Sequence, residues 1–78
     1  MHEAKFIVLE YLAMVPEASA PTVATALALS VPAAGMQLLR CVRGGLASRS
    51  WDPRTGAYLY AITSRGQARV KFFASRRA

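Results

Sequence analysis

Apolar residues stand at positions 6, 7, 9, 11, 12 and 14 of the opening stretch HEAKFIVLEYLAMV, among good helix formers. The pattern predicts a helix ended by Pro16, whose ring disfavours helical backbone in the residue before it. PEASA reads as a linker. Ala20-Pro21 can open a second helix, with Pro21 in the first turn where its missing N–H costs nothing. TVATALAL continues that helix, with Val23, Leu27 and the alanines facing inward. Ser30 is then a candidate N-cap with Pro32 just inside a third helix, VPAAGMQLLRCVRGG, which stops at the glycine signal Gly44-Gly45.

Beyond the glycines the period changes. LASRSW and AYLYAI are short runs rich in aromatic and branched residues, separated by DPRTG, in which Pro53 fixes φ and Gly56 tolerates positive φ. The pattern is a hairpin. A two-residue period puts Tyr58, Tyr60 and Ile62 on one face, which is assigned to the core. Thr63 or Ser64 caps a final helix, SRGQARVKFFASRR, weakened near its start by Gly66. The order is α-α-α-β-β-α in a single domain over residues 1–78, with no repeat and no low-complexity tract.

On a wheel of 100° per residue, Ala34, Leu38 and Cys41 share one side of the third helix, and Gly35, Leu39 and Val42 extend it into a wide apolar arc. Ala33, Met36, Gln37, Arg40, Arg43 and Gly44 fall opposite. Two short helices joined by a tight step make a helix-turn-helix, whose second helix enters the major groove of DNA. The exposed arc offers small residues first and then Gln37 and Arg40, which can pair with adenine and guanine respectively. Taken alone, such a stripe is equally a solvated helix face. The hairpin that follows shifts the balance. It is a wing with Arg54 at its tip, Thr55 beside it and Arg49 on the strand leading there, placed to meet phosphate or the minor groove. Trp51 is read as packing at the base of the wing rather than stacking on a nucleobase.

Charge agrees with this picture. Ten Lys and Arg against four Asp and Glu give a net charge of +6. Residues 1–39 hold Lys5 against three glutamates, a balance of −2, and residues 40–78 hold nine basic residues against Asp52, a balance of +8. So basic a half attracts polyanions, although a solubility surface or a basic tail has the same composition.

From Thr22 to Gly66 the sequence resembles the winged helix-turn-helix of MarR-like prokaryotic transcriptional regulators. The matching pieces are TVATALALS, the recognition segment ending in RGGLASR, the wing DPRTG, and YLYAITSRG with its Thr and Gly. The resemblance implies an α+β fold, mainly α: three helices, a two-stranded wing and a C-terminal helix. It also implies a small regulator of prokaryotic, phage or plasmid origin that binds double-stranded DNA in the cytoplasm. Two features depart from the pattern. The larger members carry long extra helices for dimerisation and effector binding, for which 78 residues leave no room. The recognition helix is also poor in hydrogen-bonding side chains, with Ala33, Ala34, Gly35 and Met36 in its early turns. A winged helix turned to protein binding, as an inhibitor or adaptor, and a nonspecific architectural or RNA-binding protein are the rival readings.

Other chemistry finds little support. His2 and Cys41 are the only soft ligands, too few for zinc, and no cofactor is expected. Cys41 lies on the apolar arc and reads as a structural thiol. No carboxylate has a histidine partner nearby, and GGLASRS lacks the ending of a phosphate loop, so no enzyme is expected. Glu3, Glu10 and Glu17 are wrong for a signal peptide, and no apolar run approaches the ~20 residues of a membrane span. With one cysteine and a small chain, stability must come from packing. The terminal helices carry apolar surplus, with Phe6 and Leu9 on the first and the adjacent Phe72 and Phe73 on the last. Burial of these four in a symmetric homodimer is the expectation.

Overall fold

The computed structural model describes residues 3–77. Helix α1 spans Glu3–Leu12, α2 Ala20–Leu27 and α3 Val31–Arg43; strands β1 (Ala47–Asp52) and β2 (Ala57–Ile62) follow, then α4 (Ser64–Arg77). This is the expected order, mainly helical with one antiparallel two-stranded sheet. His2 lies outside the described residues.

The core is small and drawn from every part of the chain. Val8, Leu9 and Leu12 of α1 meet Val23 and Ala24 of α2, Ala34, Leu38 and Cys41 of α3, and Leu46, Ala47 and Tyr60 around the hairpin. Leu9 is 1% exposed. It therefore fills the core of the chain itself and is not available to a dimer, contrary to expectation. Positions 8, 9 and 12 share one side of a 3.6-residue helix, and that side faces α3. α1 also ends sooner than Pro16 requires. After Leu12 the backbone tightens into i→i+3 bonds, Met14 N–H to Tyr11 O at 2.9 Å and Val15 N–H to Leu12 O at 3.4 Å.

The PEASA segment is more than a linker. Ala18 and Tyr60 exchange both backbone hydrogen bonds, at 2.9 and 2.8 Å, so one residue of the segment acts as a third rung beside β2. Ser19 then caps α2, its hydroxyl accepting from Thr22 N–H at 3.4 Å. α4 returns across α1, where the Phe6 and Phe73 rings meet edge to face at 4.9 Å. Gly66 does more than weaken α4. A Cβ built there would run into the carbonyl oxygen of Leu46 and come within 2.7 Å of Ile62 Cγ1, so glycine permits the close approach of α4 to the hairpin. Among the described residues, no single helix is long and apolar enough to cross a membrane.

Candidate nucleic-acid interface

The turn between α2 and α3 sets the first half of the site. Ala28 closes α2 in the left-handed region at φ 56°, and the N–H of Leu29 reaches back to Ala24 O at 2.9 Å. Ala28 is the one described non-glycine residue at positive φ, a strain accepted where the chain must turn within three residues. Ser30 then caps α3, accepting from Ala33 N–H at 3.2 Å. The axes of α2 and α3 turn through 111°, within the range of a helix-turn-helix.

Ala34, Leu38 and Cys41 are completely buried, as the wheel predicts. The outward strip is rotated from the expected one. A shallow groove runs along α3 between Pro32, Gly35, Met36, Leu39, Arg40 and Arg43. Gly35 and Leu39 thus flank the outer face rather than extending the buried arc. Gln37 moves the other way. It is half-buried, and its amide oxygen is enclosed with no hydrogen-bond partner among the described residues. In this conformation it does not offer that acceptor to a base edge. Ala33, Met36, Arg40 and Arg43 remain exposed. Arg40 Nη2 lies 3.7 Å from the Met36 sulfur, which steadies the guanidinium along the helix. Both arginines also sit in the last turn, where the helix dipole favours positive charge by about 0.3–1 kcal/mol, so their placement has a structural cause as well.

Gly45, at φ 76°, carries the chain out of α3, and Leu46 N–H bonds back to Cys41 O at 2.9 Å. The hairpin pairs Ala47 with Ile62, Arg49 with Tyr60, and Trp51 with Tyr58. Its tip is built by Asp52. One carboxylate oxygen accepts Arg54 N–H at 3.1 Å and the other accepts the Thr55 hydroxyl at 3.2 Å, while Gly56 N–H closes on Asp52 O at 2.8 Å. Thr55 is therefore a turn-former first. The Arg54 side chain is 89% exposed, and its 3.8 Å approach to Asp52 is a surface contact of little strength. Arg54 is thus presented outward at the extreme of the wing.

Two aromatic assignments change. Tyr60 is buried and Ile62 half-buried, but Tyr58 is 40% exposed, because it stands on the tip side of Tyr60 where the core no longer reaches. Trp51 is opposite it and 55% exposed, near the tip of the wing and not at its base. The two rings meet edge to face at 5.1 Å, and the Arg49 guanidinium lies 4.1 Å from the centre of the Tyr58 ring. Sequence reasoning missed this cluster. The missing signal was position along the strand, since alternation alone gives the face and not the depth.

On α1 and α4, Phe72 and Phe73 are 52% and 37% exposed and touch each other at 5.6 Å, with Phe6 half-buried beside Phe73 and Ile7 47% exposed. Among the described residues no group of three metal-ligating side chains comes together.

No protein-family model matches the chain, and no curated protein matches it. Solved structures do. A MarR family transcription regulator superposes with TM-score 0.87 at 27% identity, over 95% of this chain and 50% of that one. The Bordetella bronchiseptica regulator BpsR, whose DNA binding is regulated by 6-hydroxynicotinic acid, gives 0.84 at 26%, over 92% and 52%. MepR of S. aureus in complex with DNA gives 0.83 at 24%, over 92% and 60%. The chain spans roughly half the length of these proteins. Their agreement with the element order, the turn between α2 and α3 and the hairpin establishes the architecture: this chain has the winged helix-turn-helix fold of MarR-family transcriptional regulators.

Proposed function

We propose that the protein is a sequence-specific double-stranded DNA-binding transcriptional regulator, a cytoplasmic one of prokaryotic, phage or plasmid origin. The supporting observation is a pair of arginine-bearing elements on one fold. Arg40 and Arg43 stand exposed on α3, which packs against β1, and the hairpin begun by β1 carries Arg49 and Arg54 outward. A helix in the major groove and a hairpin on the flanking backbone need that arrangement. The same fold occurs in proteins solved with DNA, MepR and E. coli MarR with operator DNA.

In this reading Ala33 and Met36 make close apolar contact with the groove, Arg40 reads a guanine edge, and Gln37 reaches a base only by swinging its amide outward. Arg43, Arg49, Arg54 and Thr55 meet the backbone or minor groove. The binding form is a homodimer joined through Phe6, Phe72 and Phe73, which sets two α3 helices about one DNA turn, ~34 Å, apart on a pseudo-palindromic site.

Fluorescence anisotropy over a range of salt, with duplex from the protein's own upstream region and with random duplex, tests the reading. It expects tighter binding to the upstream duplex and a steep loss of affinity as salt rises. Absence of binding to either duplex at low salt would overturn it and favour a protein-binding winged helix.

A further inference from the structure

The wing carries more than charge. Trp51, the single tryptophan of the chain, is 55% exposed, and its cross-strand neighbour Tyr58 is 40% exposed. An edge-to-face pair on a hairpin contributes stability by itself, and a two-stranded sheet benefits from it. Stability alone, however, asks only for rings that bury one another. Here Trp51 keeps 55% and Tyr58 40% of its surface in solvent, beyond the reach of the core. A cation lies on one of them, since Arg49 covers the Tyr58 ring at 4.1 Å. A second, Arg54, extends from the turn that joins the two strands.

Two part-exposed rings, with Arg49 on one face of Tyr58 and Arg54 at the adjoining tip, in a half-chain of net charge +8, complement a ligand that is both planar and anionic. Unpaired nucleobases on a phosphate backbone meet both conditions. The bases stack on the rings, and the adjoining phosphates meet the arginines. Bases inside an intact duplex present no open face to such rings. We infer that the Trp51–Tyr58 face of the wing, with Arg49 and Arg54, is a stacking site for single-stranded nucleic acid. The site shares Arg49 and Arg54 with the proposed duplex contact of the wing, but its rings take no part in that contact and it does not require α3 to enter a groove.

The chain is titrated with an oligothymidine of about 12 nucleotides, within the usual span of one such site, following both Trp51 fluorescence and the anisotropy of labelled DNA. Stacking quenches the tryptophan as the strand binds. Trp51→Val keeps a strand-forming residue and removes the ring. It is expected to weaken single-strand binding by on the order of 10-fold, with Trp51→Phe recovering most of the loss. The salt slope stays the same, because no phosphate contact has gone. Duplex affinity in Trp51→Val is retained, and in Arg40→Ala single-strand affinity is retained, so failure of either site is seen without the other. Tryptophan emission unaltered at saturation in the wild-type chain overturns the inference whether or not the variants fold. So does a folded Trp51→Val that binds the oligonucleotide as tightly as wild type.

Discussion

The Thr63 hydroxyl donates a 2.8 Å hydrogen bond to the carbonyl oxygen of Gly45, 18 positions earlier in the chain. The same hydroxyl oxygen accepts Gly66 N–H at 3.1 Å, which makes Thr63 the cap of α4. Its backbone N–H adds a 3.0 Å bond to Leu46 O. One residue thus ties the exit of α3 to the start of α4, and the wing emerges between them. Thr63→Val keeps the shape and loses both hydroxyl bonds. A loss of about 1–2 kcal/mol in urea unfolding is expected, with Thr63→Ser close to wild type. A Thr63→Val chain as stable as wild type would show that the tie carries no weight.

Gly66 is the third residue of the same helix, against the Leu46 carbonyl. Ala is the better helix former, so propensity alone predicts that Gly66→Ala stabilises by about 1 kcal/mol. The close backbone contact predicts the opposite sign. Overpacking of this kind costs about 1–3 kcal/mol, and neither the Leu46 backbone nor Ile62 can move aside freely. A melting temperature raised by Gly66→Ala would overturn the packing account.

These two residues mark how far the sequence could be read. The cap of α4 was legible as Thr63 or Ser64, because a cap acts locally, and so were Ser30, Pro32 and the glycines after α3; the structure selects Thr63. Gly66 was legible only as a weak helix residue, since what it approaches lies 20 positions back at Leu46. The Ala18–Tyr60 bridge was hidden for the same reason. On α3 the buried centre at Ala34, Leu38 and Cys41 was plain. The edges of the arc were not, because whether Gln37 or Leu39 turns inward depends on which neighbours close on that helix. The surplus on α1 was misdistributed as well: Val8 and Leu9 are core, and Ile7 is outside.

Arg40 is the principal base reader in the proposed function. Arg40→Ala is expected to cost ~1–3 kcal/mol on the preferred duplex and to relax preference at one position, measured by anisotropy against single-base variants of the site. Gln37→Ala should cost less, because its amide oxygen is turned inward and must be exposed again before it can bind. Equal losses on preferred and random duplex would make Arg40 a phosphate contact.

On the wing, Arg54→Ala and Arg49→Ala should each lower the salt slope of duplex binding by ~0.9, and together by about twice that, on preferred and random DNA alike. Arg54 is the cleaner probe, since its side chain is 89% exposed and its removal disturbs only a weak contact with Asp52. Arg49→Ala also uncovers the Tyr58 ring. Arg43→Ala is expected to follow the same pattern. A slope unchanged in the double variant rules out phosphate contact by the wing.

The last expectation concerns assembly. Phe6 and Phe73 satisfy each other edge to face within one chain, which explains part of the apolar surplus on α1 and α4 without a partner. Yet the contact leaves Phe73 37% exposed, Phe72 52% exposed and Ile7 47% exposed, on two helices that pack together. Among the described residues the core is built from a dozen side chains, of which four are alanine, one is cysteine and only four are leucine, a thin apolar core. Covering the phenylalanines in a symmetric pair would bury further apolar area at about 25 cal/mol per Å². The chain is therefore expected to sediment as a dimer at micromolar concentration and to melt at a temperature that rises with concentration. Phe72→Glu is the sharper variant, because Phe72 is the more exposed of the two adjacent rings. It should give a folded monomer with the helical circular dichroism of wild type and weaker binding to a two-fold site. A wild-type chain that is monomeric throughout, with Phe72→Glu indistinguishable from it, would remove both the dimer and the pseudo-palindromic site.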